Sequence, residues 1–225
     1  MSAVFVTGTG TDIGKTFVTA ALIHELRRRG RAVDALKPVV SGFDLAELAA
    51  SDPGVLLAAL GRAPTAEALD RIAPWRYAAP LSPDMAARRE ERQLDFAALL
   101  AFTRRAVSAA SGILLIEGVG GVMVPLDDEH TVLDWMAALA LPVLLVGGSY
   151  LGAISHALTA LDALGQRGLR LKAMIVDETP GSGVGLDATV ESISRFAGGA
   201  AVVGLPRLRS AETFHPVLQR LADLL

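Results

Sequence analysis

The residues Thr7-Gly8-Thr9-Gly10-Thr11-Asp12-Ile13-Gly14-Lys15-Thr16 have the types and spacing to grip a phosphate chain. Glycines let backbone N–H groups approach phosphate oxygens without a Cβ in the way. Gly-Lys-Thr at a helix start adds free N–H groups and the positive end of the helix dipole. Lys15 would then reach the terminal phosphates, and the Thr16 hydroxyl would ligate Mg²⁺. The spacing departs from the strict pattern: the residue five before Gly14 is Thr9, and Gly8 stands six before it, so the loop is one residue longer. A dinucleotide loop needs glycine where Ile13 stands. It also needs an acid at the end of the second strand, where this chain has Lys37-Pro38.

Three further groups could share that chemistry. Lys37-Pro38-Val39-Val40-Ser41-Gly42 follows a second apolar run, and a lysine at a strand end is either a surface charge or a group aimed at an anion. Asp52, before Pro53, either caps a helix or holds a metal. Glu117 ends an apolar run and precedes Gly118-Val119-Gly120-Gly121, the place where phosphate-loop enzymes carry the acid that holds Mg²⁺. The run Asp127-Asp128-Glu129 reads as a solvated acidic loop.

These groups need a scaffold that brings strand ends together. Residues 3–6 read as a buried strand, and Val18, Leu22 and Leu26 at four-residue spacing read as the helix after it. Strands are predicted over 32–36, 112–116, 142–146, 169–176 and 201–205. Residues 43–60 are weakly helical and 61–80 irregular. Ser82-Pro83 opens a short helix, Asp95 caps a long one, and further helices are expected over 151–167, 186–196 and 215–225. The alternation predicts one α/β domain spanning residues 1–225. It is a doubly wound, mostly parallel sheet with helices on both faces, of the P-loop NTPase type. In such sheets the ligand crevice lies at the carboxyl ends of the strands, where all four groups fall.

Composition removes other classes of function. Net charge is −3, and no Lys/Arg run is interleaved with aromatics, so a nucleic-acid surface is not expected. There are no cysteines, which excludes disulfides, thiolate metal sites and cysteine nucleophiles and suits the cytoplasm. The N-terminus enters a strand at once, with no basic region before an apolar one, and no membrane span is expected. His24, His130, His156 and His215 lack paired metal-ligand spacing.

The loop, Lys37-Pro38-Val39-Val40-Ser41-Gly42, Ser51-Asp52, Ser82-Pro83, Glu117-Gly118-Val119-Gly120-Gly121 and Leu151-Gly152-Ala153-Ile154-Ser155-His156 come in an order that resembles the dethiobiotin synthetase family. The resemblance spans most of the chain. It implies an ATP-dependent ligase that joins 7,8-diaminopelargonic acid (7,8-diaminononanoate) and CO₂ into a cyclic urea, with Mg²⁺ as cofactor. It implies a homodimer with substrate at the subunit interface. Carried over residue by residue, Lys15, Lys37 and Thr11 would act on the reacting groups, and Thr16, Asp52 and Glu117 would hold Mg²⁺. Thr11, Lys37 and Ser41 would contact the substrate head, and Leu151, Gly152 and Ser155 of a neighbouring subunit its carboxylate. Nucleotide contacts would come from Asp12, Ile13, Gly14, Lys15, Thr16, Phe17, Asp52, Glu117, Gly118, Val119, Gly120, Asp177, Glu178, Pro206, Arg207 and Leu208. The family usually has Asn near Asp177. An ionised Asp only accepts hydrogen bonds, so a weakened preference for adenine is expected. Two alternatives differ in class. An amidoligase acting on larger acids commonly adds a glutaminase domain with a cysteine nucleophile, absent here. A partitioning-type ATPase switch carries a second lysine early in the loop, where this chain has Thr9 and Gly10.

Overall fold

The computed structural model describes residues 2–225. Its strands, in chain order, are β1 (Ser2–Gly8), β2 (Val33–Leu36), β3 (Val39–Ser41), β4 (Trp75–Tyr77), β5 (Ile113–Glu117), β6 (Val143–Gly148), β7 (Leu171–Asp177) and β8 (Val202–Leu205). The helices are α1 (Lys15–Arg28), α2 (Asp52–Ala59), α3 (Ala66–Ile72), α4 (Pro83–Arg89), α5 (Phe96–Ala109), α6 (Val132–Leu139), α7 (Ala153–Gln166), α8 (Leu186–Phe196) and α9 (Pro216–Asp223). Six strands form one sheet in the order β2-β5-β1-β6-β7-β8, and every pairing is parallel.

A parallel sheet covered on both faces needs strands that are apolar on both sides. β5 and β6 meet that need, with every residue buried. Val4, Phe5 and Val6 of β1 have no exposed surface. Phe5 meets Trp135 of α6 edge-to-face, with centroids 4.8 Å apart. Right-handed crossovers then set the layers. The chain moves from β1 one way to β2, and from β5 the other way through β6 to β8, so α1 lies on the face opposite α6, α7 and α8. α9 packs on α1, α5 packs on α6, and α7 packs on α8.

The stretch expected to be irregular holds α3 and β4. Pro38 takes the chain out of the main sheet, as a residue without an N–H must. The freed strand β3 then pairs with β4 in a separate two-stranded parallel sheet. Trp75, Arg76 and Tyr77 carry the β-favouring aromatic pattern, but three residues are too short to read among neighbouring prolines. Thr131 and Asp134 form a reciprocal capping box at the start of α6, which fixes the turn that returns from the Glu117 loop.

Candidate active site

A crevice of about 860 Å³ opens at the carboxyl ends of the strands. Its floor is the loop between β1 and α1. Gly14 precedes the helix with φ of 94°, a left-handed conformation that glycine adopts without strain. Asp12 is also left-handed, at φ 55°, a conformation Asp tolerates better than most residues. Lys15 is almost fully buried and turns back on the loop, donating to the Gly10 carbonyl at 2.7 Å. Burial first, and the neighbouring Lys37 second, push its ammonium down to about 8.

Beside the loop, two acids and two donors converge. Thr16 Oγ1 lies 2.8 Å from Asp52 Oδ1 and 2.6 Å from Glu117 Oε1. A hydroxyl has one hydrogen, so it can satisfy only one of the two carboxylates at a time. Lys37 Nζ lies 2.7 Å from both Asp52 Oδ2 and Glu117 Oε1 and donates to the Gly118 carbonyl at 2.9 Å. Glu117 is fully buried, and its Oε2 has no partner. Burial opposes the charge on Lys37, but Glu117 and Asp52 outweigh it and its pKa is raised. Burial likewise pushes Asp52 up, and Lys37 overrides it, leaving that carboxyl below the usual range.

Lys37 is therefore not a surface charge: its buried ammonium lines the crevice and is held there by the two acids. Asp52 is not the cap of α2. Ser51 takes that role, its Oγ accepting from the Gly54 amide at 3.3 Å, and Asp52 as first helical residue is free to reach Thr16. The acidic run is also not simply solvated. Asp127 is mostly buried and accepts from the amides of Glu129 and His130, while Asp128 pairs with Arg88. Among the described residues no group of three His, Cys, Asp or Glu side chains could hold a metal.

The crevice collects most of the residues expected to line it. Thr11 to Phe17, Lys37, Ser41, Asp52, Val119, Gly120, Asp177, Glu178 and Arg207 all do so. Glu117 and Gly118 sit beneath, holding Lys37. Leu208 packs against the core, and neither it nor Pro206 lines the crevice. Leu151, Gly152 and Ser155 stand outside this chain's crevice, at the start of α7, with Leu151 92% exposed. Sequence reasoning missed Thr179 and Pro180, which line the far wall. Ser149 and Thr179 exchange two backbone-to-hydroxyl bonds of 3.0 Å and tie the ends of β6 and β7 together. Only the folded pairing brings those hydroxyls together, 30 residues apart in the chain.

Asp177 ends β7 only 7% exposed, directly against the loop: a Cβ added at Gly14 would overlap its carboxylate. Burial pushes its carboxyl up to about 6, against the pull of Arg207 and helped by Glu178. A folded pKa above the unfolded value means the unfolded chain releases this proton first. Stability therefore falls as pH rises from about 4 to about 6 and stays lower above that. The penalty is on the order of 2–3 kcal/mol. Asp177→Asn should melt higher than wild type at pH 8, with the gap closing near pH 4.5. Nucleotide-free thermal melts at the two pH values check this, and a gap independent of pH would contradict it.

A strand feeding a glycine loop and a Gly-Lys-Thr helix, on a parallel sheet whose neighbouring strand ends in an acid facing that threonine, defines a P-loop nucleoside triphosphatase fold. Solved structures agree at the level of fold. The cell division ATPase MinD of Pyrococcus furiosus superposes with a TM-score of 0.57 at 17% identity, covering 100% of this chain and 98% of its own. A ParA family ATPase from Chlorobium tepidum gives 0.51 at 16%, covering 99% and 88%. A family model described as an AAA domain matches residues 2–213. Much nearer in sequence is an ATP-dependent dethiobiotin synthetase of Methylobacterium nodulans, 54% identical over 88% of this chain and 90% of the relative. Those of Caulobacter sp. strain K31 (50%, over 92% and 89%) and Acidiphilium cryptum (47%, over 88% and 89%) are similar. The chain belongs to the ATP-dependent dethiobiotin synthetase family.

Proposed function

We propose that this protein is an ATP-dependent ligase of biotin biosynthesis that converts 7,8-diaminononanoate, CO₂ and ATP into dethiobiotin, ADP and phosphate. An amine nitrogen adds to CO₂ and loses a proton, giving a carbamate, which is a poor electrophile. A carbamate oxygen takes the γ-phosphoryl group of ATP, and ADP leaves. The second amine attacks the carbonyl of this mixed anhydride, phosphate departs, and the urea ring closes. Such chemistry demands positioning and charge neutralisation more than covalent catalysis. Lys15 and Lys37 supply positive charge where the γ-phosphate and the carbamate meet, and Thr11 and Ser41 contact the substrate head.

The single observation that carries this reading is the buried Lys37–Asp52–Thr16–Glu117 cluster beside the phosphate loop, in a chain about half identical to dethiobiotin synthetases. Three converging oxygens with one hydroxyl proton between them, and a buried carboxylate oxygen without a partner, suit a small hard cation. Mg²⁺ commonly takes one or two carboxylates and completes its shell with phosphate and water, so Thr16, Asp52 and Glu117 fit it. When bound it would neutralise charge on the β- and γ-phosphates.

The exposed start of α7 supports a homodimer in which Leu151, Gly152 and Ser155 of one subunit meet the substrate carboxylate in the other. Substrates and ATP are small molecules of the cytoplasm, and among the described residues no helix is long and apolar enough to cross a membrane. The whole chain is read as one domain. The test is phosphate release from ATP with Mg²⁺ and bicarbonate, with and without 7,8-diaminononanoate. Release should require the diamine and be accompanied by a ureido product. Diamine-independent turnover with dimerisation would instead favour an ATPase switch.

A further inference from the structure

The bonds between Ser149 and Thr179 reach further than the two strand ends they join. Ser149 is fully buried, and both its amide and its hydroxyl oxygen are committed to Thr179. Only Tyr150 and Leu151 separate it from Gly152, the residue that opens α7. The Ala153 amide donates to the Tyr150 carbonyl at 2.9 Å, which closes that turn. The Tyr150 hydroxyl meets His156 Nδ1 at 2.9 Å in the first turn of the helix. A Cβ added at Gly148 would come within 2.6 Å of Thr179 Oγ1 and 2.9 Å of the Tyr150 ring, so both side chains close over the same strand end. The segment between the pair and α7 therefore has little slack.

Thr179 itself belongs to another surface. With Pro180 it lines the far wall of the crevice, just past the end of β7. Leu151, Gly152 and Ser155 are exposed and stand outside that crevice. A wall residue of one site is thus bonded to the segment that the same subunit offers to its neighbour. Without Thr179 Oγ1 the Ser149 amide would be a buried donor with no acceptor, and the chain would have to shift to pair it. The turn and the Tyr150–His156 contact would carry that shift to the start of α7.

We propose that Ser149 and Thr179 are positioning residues for the substrate of the other subunit: they hold the start of α7 where the diamine's carboxylate meets it across the interface. This rests on the homodimeric reading of the reaction and adds what fixes the shared segment. The carboxylate lies at the opposite end of the substrate from the reacting nitrogens, and its charge is the same before and during the reaction. A contact of that kind binds ground state and transition state equally, so its loss falls on KM for the diamine and spares kcat.

Thr179→Val removes the acceptor and keeps the shape, whereas Thr179→Ser keeps the acceptor. Thr179→Val should raise KM for 7,8-diaminononanoate roughly 10-fold, within the range for a buried amide left unpaired, with kcat and KM for ATP changed by less than about twofold. Thr179→Ser should stay near wild type. The decisive arm is a mixed dimer, purified through separate tags, that joins a Thr179→Val subunit to a Lys37→Ala subunit whose Ser149–Thr179 pair is intact. Its working site belongs to the Thr179→Val subunit and receives the carboxylate contact from the other, so KM for the diamine should return to the wild-type value at a reduced maximal rate. A KM that stays raised places the effect within the crevice of the same subunit and overturns the proposal. So does an unchanged KM in the Thr179→Val homodimer, or an equal loss in Thr179→Ser. A monomeric wild type overturns it too, while diamine-dependent phosphate release by that monomer would leave the proposed reaction standing. Absence of such release in wild type strikes the reaction and the proposal together.

Discussion

Lys37→Ala should lower kcat by roughly 10²–10³, the scale for removing one preorganised group that stabilises developing charge. The side chain is 3% exposed, and its three ammonium hydrogens face Asp52, Glu117 and the Gly118 carbonyl. Its position is therefore set before substrate arrives, and a cation that took up the two carboxylates would release its hydrogens toward the reacting oxygens. Removing it also leaves two carboxylates facing each other across Thr16 without their shared cation. KM for ATP should change much less than kcat, since the loop and Lys15 are untouched. Lys37→Arg should not rescue the loss, because a planar fork does not fit a slot built around a compact ammonium. Steady-state kinetics, with a thermal melt to confirm folding, provide the check. Near-wild-type kcat in Lys37→Ala would remove the residue from the chemistry.

The second large effect is on metal dependence. Glu117→Gln should raise the Mg²⁺ concentration for half-maximal rate by at least ~10–100-fold, the range already seen when groups that merely orient metal ligands are lost. Asp52→Asn should act in the same direction but less strongly. Glu117 is wholly buried and touches both Thr16 and Lys37, whereas the Asp52 side chain is 41% exposed and water can replace part of what it does. Mg²⁺ titrations of the rate at saturating ATP separate the two variants. If either substitution lowers only the melting temperature and leaves the Mg²⁺ midpoint in place, that acid is structural.

Much of this was legible because the informative residues are local signals. The Gly-Lys-Thr turn, the strand-ending Glu117 and the capping Asp95 each carry their meaning within a few neighbours. The sheet was legible because β1, β5 and β6 are continuous apolar runs. Where the sequence left alternatives open, the deciding partner lay far along the chain. That Lys37 faces Asp52 and Glu117 rather than solvent depends on a contact spanning 80 residues. That Ser51 and not Asp52 caps α2 depends on Asp52 being drawn across to Thr16, 36 positions away. The pairing of β3 with β4 is likewise non-local, and short strands between prolines give no periodicity to count.

The strand order bears on how the protein is made. β1 leaves the ribosome well before β5 and β6, between which it lies and whose pairing residues begin at Ile113 and Val143. At common synthesis speeds its neighbours arrive on the order of ten seconds later. Until then the segment around Val4, Phe5 and Val6, apolar on both faces, has no sheet to join. Non-local parallel pairing is slow to form and leaves such edges open to other chains. Chaperone supply and growth temperature should therefore govern soluble yield more than the stability of the finished fold. A chain that stops before β6 cannot close its centre, and circular permutation that brings β1 beside β5 in the order of synthesis should shorten the exposed interval.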